Sequence, residues 1–274
     1  MKTVAVAHPA QTSARLGVHI RITANETAKG LRLLWRRRGL LVTATIVYGL
    51  TYLGFSLAIG GGHIVKPLAA LTLPALAAAV VAATAALQGS GGIAEEINGG
   101  TLEQTQLSPA RPEVQALGRL TALAIEGVLA AVALAVAFTL ILGLRYQPSP
   151  AVMIPAVLTV ADGLGYGLLI LALTVRVASI GAITHVFNMM VMFFGGVLFP
   201  VAILPSALET FTRFLPITLG VQALNVTLAG RPLSVTWSDG TLPWLLVHAA
   251  VSLSLGCAVY GAAIRRARRQ GGLR

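Results

Sequence analysis

Three of the chain's carboxylates, Glu95, Glu96 and Glu103, fall in one polar stretch, IAEEINGGTLEQTQLSPARP, from Ile93 to Pro112. When ionised they are suited to charge-assisted hydrogen bonds with basic groups presented by another protein. Thr101 and Ser108 add local hydrogen-bonding groups, and Leu102 and Leu107 add apolar anchors. Gly89, Gly91 and Gly92 precede the stretch, Gly99 and Gly100 lie within it, and Pro109 and Pro112 close it. The pattern suits a short docking helix in water. An ordinary solvated loop between helices has much the same composition, and the residues alone leave both readings open.

The other groups able to do chemistry sit in apolar text. Asp162 lies near the middle of the run Ala151–Val175, and Glu126 lies about one-third of the way into Leu117–Leu144. His185 and Asn188 share the run Ser179–Phe199, and His248 lies in Leu242–Ile264. Ionisable groups inside such runs are costly and are functional candidates by default. Asp162 could meet a cationic substrate, a proton or a partner such as His185; a hydrogen-bonded packing role between helices is the competing reading. Met189, Met190, Met192, Phe193 and Phe194 form a soft, bulky cluster that suits a hydrophobic path or plain core and lipid contact. Gly195 and Gly196, ahead of Phe199-Pro200, allow a bend. With Pro205 and Pro216 they mark a candidate external gate.

Several chemistries are excluded by what is missing. There is no G-x-x-x-x-G-K-[ST] phosphate loop and no H-E-x-x-H in the sequence. Asp162-Gly163 is followed by Leu164 with no second aspartate near, so the D-G-x-x-A-R pattern of membrane phosphotransferases is absent. The single Cys257 excludes an intrachain disulfide and a zinc cluster of several cysteines. No metal site and no catalytic set emerges.

The elements that must position these groups are membrane helices. Charged residues make up 11% of the 274 residues, against about 25% in ordinary soluble domains, and mean hydropathy is +0.81. Several apolar runs reach the roughly 20 residues that span a hydrocarbon core. They are continuously apolar rather than alternating, which argues against a β-barrel. The expected fold is an all-α membrane protein with six transmembrane helices: Leu40–Ile59, Pro67–Leu87, Leu117–Leu144, Ala151–Val175, Ser179–Phe199 and Leu242–Ile264. Gly60, Gly61, Gly62 and His63 read as a tight turn. Ahead of the membrane domain (39–264), residues 1–14 read as a disordered tail and 15–38 as a basic amphipathic helix in the interface, with Trp35 at headgroup level. Met1–Asn25 lacks the apolar core of a signal peptide. Residues 200–240, with Pro205, Pro216 and Pro232, hold pieces too short to span and read as re-entrant or interfacial helices and a polar loop. Residues 265–274 form a basic tail.

Net charge is +11, but the cations flank apolar runs, so topology explains them better than nucleic acid does. With six spans both termini share a face. That face holds the cations up to Arg38, Arg111, Arg119, Arg176 and those from Arg265 onward, sixteen of the twenty Lys and Arg. Lys66, Arg145, Arg213 and Arg231 lie on the other. The bias places both termini and the 93–112 segment in the cytoplasm and 200–240 outside, in a multi-pass protein of the inner or plasma membrane.

The segment Glu96, Gly100-Thr101-Leu102-Glu103-Gln104, Ser108-Pro109 and Gly118-Arg119 resembles the cytoplasmic signature of type-2 ABC exporter permeases, E-x-x-x-GTLE-x-x-x-x-SP, found between spans two and three. FFGGVLFPVAILPSALETFTRFLPITLGVQALN, from Phe193 to Asn225, is similar to the family's end of span five. The resemblance implies that the central segment is a coupling helix inserted into a groove of a separate ATPase. It also implies two ATPase subunits, which bind the ATP and Mg that this chain does not, and a second permease subunit, identical or homologous. The expected role is an exporter permease that is not catalytic by itself and moves a hydrophobic or amphipathic drug or lipid. An ion-driven transporter or channel is the rival reading, kept open by Glu126 and Asp162, and a membrane enzyme is a third.

Overall fold

The computed structural model describes residues 9–101, 111–177 and 180–269, with the backbone alone for 9–16, 180 and 183. Among these residues every regular element is helical. Helix α1 (Pro9–Arg36) is followed by α2 (Arg38–Ile59). Helix α3 (Lys66–Ala83) runs through a π-helical turn (Thr84–Gln88) into α4 (Gly89–Asn98). Then come α5 (Pro112–Leu142), α6 (Met153–Thr174) and α7 (Ile180–Phe194). Short helices α8 (Ser206–Thr212), α9 (Thr218–Leu228) and α10 (Leu233–Ser238) precede α11 (Thr241–Arg269).

Among the described residues five helical segments are long and apolar enough to cross a membrane: Arg38–Ile59, Lys66–Asn98, Pro112–Leu142, Pro150–Thr174 and Thr241–Arg269. The fifth expected span, Ser179–Phe199, is the one not among them, its helix being shorter than its apolar run. Helix α7 has 15 residues, about 22 Å at the usual rise per residue, and breaks at Gly195 and Gly196, where Gly196 takes φ +91. Helix α1 begins at Pro9, ahead of the start expected near Arg15. Proline is compatible with a first helical position, whose N–H has no intrahelical partner, so the helix needs no amphipathic repeat there. The expected tail residues 1–8 and 270–274 lie outside the described residues.

Burial sorts the helices. Helix α3 is buried along most of its length, whereas α2 buries only Gly49 and Tyr52. Tyr52 packs edge-on against Phe138 with ring centroids 5.2 Å apart, and its hydroxyl lies 2.9 Å from Thr72 Oγ1. The main core joins these residues to Leu73, Leu76, Val80, Leu134 and Ile217. A second cluster, with Leu120, Leu168, Leu171, Tyr260 and Ile264, ties α5, α6 and α11 together. The α6–α11 crossing is made possible by Gly165: a Cβ there would fall 2.4 Å from Ser252 Oγ and 2.6 Å from the Leu253 nitrogen. Small residues that let backbones approach are the usual adhesive between membrane helices.

The ends of the helices fall on two faces. On one, Arg265 Nη1 of α11 donates to Glu113 Oε1 of α5 at 2.8 Å. On the other, Gln147 N donates to Leu228 O at 2.9 Å and Tyr146 Oη to Ala70 O at 2.9 Å. Burial, and next the neighbouring Tyr52, push the Tyr146 hydroxyl up to about 12. The first face carries the start of α2, the end of α4, the start of α5 and the end of α11. The second carries the 60–63 turn, with Gly61 and Gly62 at positive φ, and the short helices between α7 and α11.

Candidate functional site

The polar stretch picked out in the sequence is not a free loop at its start. Backbone helicity continues from the second span through the π turn to Asn98, because Gly89 fits where a Cβ would lie 2.8 Å from Leu171 Cδ1 and 3.1 Å from Leu120 Cδ2. The helix stops when Gly100 takes φ +64, with Gly100 N donating to Ile97 O at 3.1 Å and Thr101 N to Glu96 O at 3.0 Å. Such left-handed closure is a common helix ending. Glu95 is exposed at the tip. Glu96 turns inward and pairs with Arg119 of α5. The second Glu96 oxygen and Arg119 Nη1 are buried without a hydrogen-bond partner among the described residues. Leu102, Glu103, Leu107 and Ser108 lie outside the described residues.

Helix α1 lies across the first turns of α5. Thr27 Oγ1 donates toward Thr23 O (2.8 Å) and Gly118 O (3.1 Å). A Cβ on Gly118 would sit 2.7 Å from Glu26 Cβ and 2.9 Å from Thr23 O. The Arg119–Glu96 pair and the α1 crossing therefore occupy adjacent positions of α5.

Between α1, the start of α2, α4 and α5 lies a cavity of about 420 Å³. Its lining includes Glu95, Glu96, Arg119 and, at its inner end, Glu126. Glu126 is 7% exposed and accepts from Gln88 Nε2 at 3.1 Å. Gln88 is the last residue of the π turn, a distortion frequent at functional sites. Sequence reading named Glu126 but not Gln88, Glu26 or Lys29; the signal available for Gln88 was a lone amide at the end of an alanine-rich run.

Asp162 is placed differently. It is 1% exposed, and both oxygens are taken. Oδ2 accepts from Ile217 N at 2.9 Å. Oδ1 accepts from Ser252 Oγ at 3.1 Å and lies 2.8 Å from His248 Nδ1. His248 Nε2 lies 3.2 Å from Phe214 O, which can only accept. Nε2 therefore carries a proton, and the Asp162–His248 contact holds another. The partner of Asp162 is His248 of α11, not the suggested His185, which is exposed on α7. Two helices whose paired residues stand 86 positions apart meet here, a pairing that sequence spacing does not encode.

The remaining candidates do not converge. On α7, Asn188 and Met192 are buried while Met189 and Phe193 are exposed, so the methionine–phenylalanine cluster divides between a buried and an exposed side. Phe199 and Pro200 are half-buried after α7, and Pro205 is exposed before α8. Pro216 immediately precedes Ile217, whose N–H donates to Asp162 Oδ2. Sequence reading also missed an apolar groove of about 460 Å³ between α3, α5, α6 and α9, bordered by Leu73, Val132, Val160 and Leu224.

A family model described as ABC-2 type transporter matches residues 26–229, from the second half of α1 through α9. Among curated proteins, none matches the chain significantly.

Proposed function

This chain belongs to the ABC-2 type transporter family, and on that premise we propose that it is the permease subunit of an ATP-driven exporter. It is a membrane-embedded transport component rather than an enzyme. The observation that carries the proposal is the family match together with its layout: the E-x-x-x-GTLE segment begins at the tip of a helix continuous with the second span. A force applied at Glu95–Thr101 by another protein would act directly on a rod reaching across the membrane.

The absence of a phosphate loop in these residues supports placing ATP and Mg on separate ATPase subunits, two copies of which would engage a pair of permeases. The second permease, identical or homologous, would cover part of the apolar surface that α2 leaves open, where Leu40, Ile46, Val47 and Leu50 are exposed. Membrane lipid would cover the rest. The basic face, with the α4 tip, would be cytoplasmic in an inner or plasma membrane. Helix α1 would lie at that interface with Trp35, 72% exposed, at headgroup level. Residues 200–240 would lie outside, with the backbone of α9 covered by α3, α6 and α11 as membrane depth requires.

In the cycle this implies, ATP binding closes the partner dimer, the α4 tips move, and the connected spans open toward the outside. The cargo would be an apolar or amphipathic compound. The test is a pull-down of the tagged full chain from its native membrane. Stoichiometric recovery of a protein with a phosphate loop, and ATPase activity that requires both proteins, is the expected result. Recovery of the chain alone in several mild detergents, with transport driven by an ion gradient, would overturn it.

A further inference from the structure

The two intramembrane acids differ in what they leave unsatisfied. Asp162 has His248, Ser252 and the Ile217 N–H on its oxygens and lines neither the polar cavity nor the apolar groove. Glu126 is buried to a similar degree, yet its one hydrogen-bond partner among the described residues is the neutral amide of Gln88. It lines the inner end of the 420 Å³ cavity. Along α5 it lies about 10 Å beyond Arg119 at the usual rise per residue.

The charges around that cavity do not balance. Glu26, Glu95, Glu96 and Glu126 face Lys29, Arg37 and Arg119. Arg119 is committed to Glu96. Lys29 and Arg37 are exposed at the mouth, where solvent screens them from the interior. Glu26, Glu95 and Glu126 have no ion pair among the described residues, and of these three only Glu126, the innermost, is buried. An ionised carboxylate held at that depth is expensive, and a bound cation offsets the cost. The wall nearby is apolar, with Leu34, Leu40, Ala122 and Leu123. One carboxylate and one amide are too few oxygen ligands for a hard divalent ion, which takes six or more. A volume of 420 Å³ falls within the range of small-molecule sites.

The geometry points to a binding site for an amphipathic organic cation, entered from the face that carries the α4 tip, with the positive centre at Glu126 and Gln88 and the apolar body against α2 and α5. This deepens the exporter proposal and rests on it for the direction of movement; binding itself does not depend on it.

The probe is tetraphenylphosphonium, bound at equilibrium to the full chain in neutral-lipid nanodiscs, with empty nanodiscs as blank and tetraphenylborate as the anion of similar shape. No ATPase or ATP is present, so the outcome is separate from that of the pull-down. Wild type should bind the cation above the blank and in preference to the anion. Glu126→Gln should weaken it at least tenfold, and Glu126→Asp should recover part of the loss. Gly92→Phe supplies an independent variant: Gly92 lines the cavity, and a Cβ there meets nothing within 4 Å, so a ring can fill the space without disturbing α4. It should abolish binding. Glu209→Gln, which removes an exposed acid paired with Arg213, should bind as wild type does. Unchanged affinity in Glu126→Gln and Gly92→Phe, or wild-type binding no better than the blank, or equal binding of the anion, would overturn the proposal.

Discussion

Asp162 Oδ2 accepts the backbone N–H of Ile217 at 2.9 Å, and Ile217 is the one non-glycine residue with positive φ among the described residues, at +67. A β-branched residue in the left-handed region is strained by about 1–3 kcal/mol. Ile217 is also 1% exposed and stands at the start of α9. The Asp162 side chain thus holds a strained turn and satisfies a helix-start N–H. Through His248 it joins the same turn to α11. This makes Asp162 a positioning residue for the region before the last helix.

Asp162→Ala should therefore act on stability first. Loss of a buried acceptor with its charged partner is worth roughly 1–3 kcal/mol, read as faster thermal inactivation in detergent. Asp162→Asn and His248→Gln, combined, should cost less than the sum of the two, because either alone breaks the shared contact. Strict additivity, with unchanged inactivation rates, would remove the pair from this role.

Glu96 and Arg119 should behave in the opposite way. Their side chains are 23% and 27% exposed, at helix ends that the proposed topology puts on the cytoplasmic side, where an ion pair contributes on the order of 1 kcal/mol of stability. Its effect is on direction: it fixes the α4 tip against α5. Glu96→Arg should leave folding intact while uncoupling ATP hydrolysis from transport in a reconstituted complex. The exchange Glu96→Arg with Arg119→Glu should restore part of the coupling. Normal coupling in the single variant would show that the tip needs no such anchor.

Apolar runs in the sequence located five long helices to within a few residues in their membrane portions, since burial in lipid and hydropathy report the same property. The polar extensions were not legible: 89–98, 112–116 and 265–269 are helical because backbone hydrogen bonding and packing continue past the apolar text. Gly89, Gly91 and Gly92 precede the polar stretch as a glycine cluster, yet all three sit inside α4, and at Gly89 a Cβ would lie 2.8 Å from Leu171 Cδ1. Glu96, Glu126 and Asp162 were visible as candidates. Their partners Arg119, Gln88 and His248 were set by helix crossings that no local pattern records.

The tight α6–α11 crossing predicts opposite signs for two alanine substitutions. Gly165→Ala puts a Cβ 2.6 Å from a backbone nitrogen of α11, and overpacking of this kind costs about 1–3 kcal/mol. Gly54→Ala in α2 meets nothing within 4 Å and should be neutral or stabilising by up to about 1 kcal/mol, as glycine in a helix interior is penalised relative to alanine. Midpoints of thermal unfolding in the same detergent check both. Equal midpoints would mean that the two helices separate without cost.

Gly118→Val tests whether α1 belongs to the transmembrane unit or merely lies beside it. The new side chain would collide with the Thr23 carbonyl and Glu26 Cβ, neither of which is the far end of a flexible chain. Helix α1 would have to lift from α5, breaking the Thr27–Gly118 contact and opening the wall of the Glu126 cavity, to which α1 contributes Glu26 and Gly30. Limited trypsin digestion in nanodiscs should then cut at Lys29 and Arg32 several-fold faster than in wild type, with the rest of the chain still protected. Cutting at the wild-type rate would mean that α1 is held by the lipid surface rather than by α5.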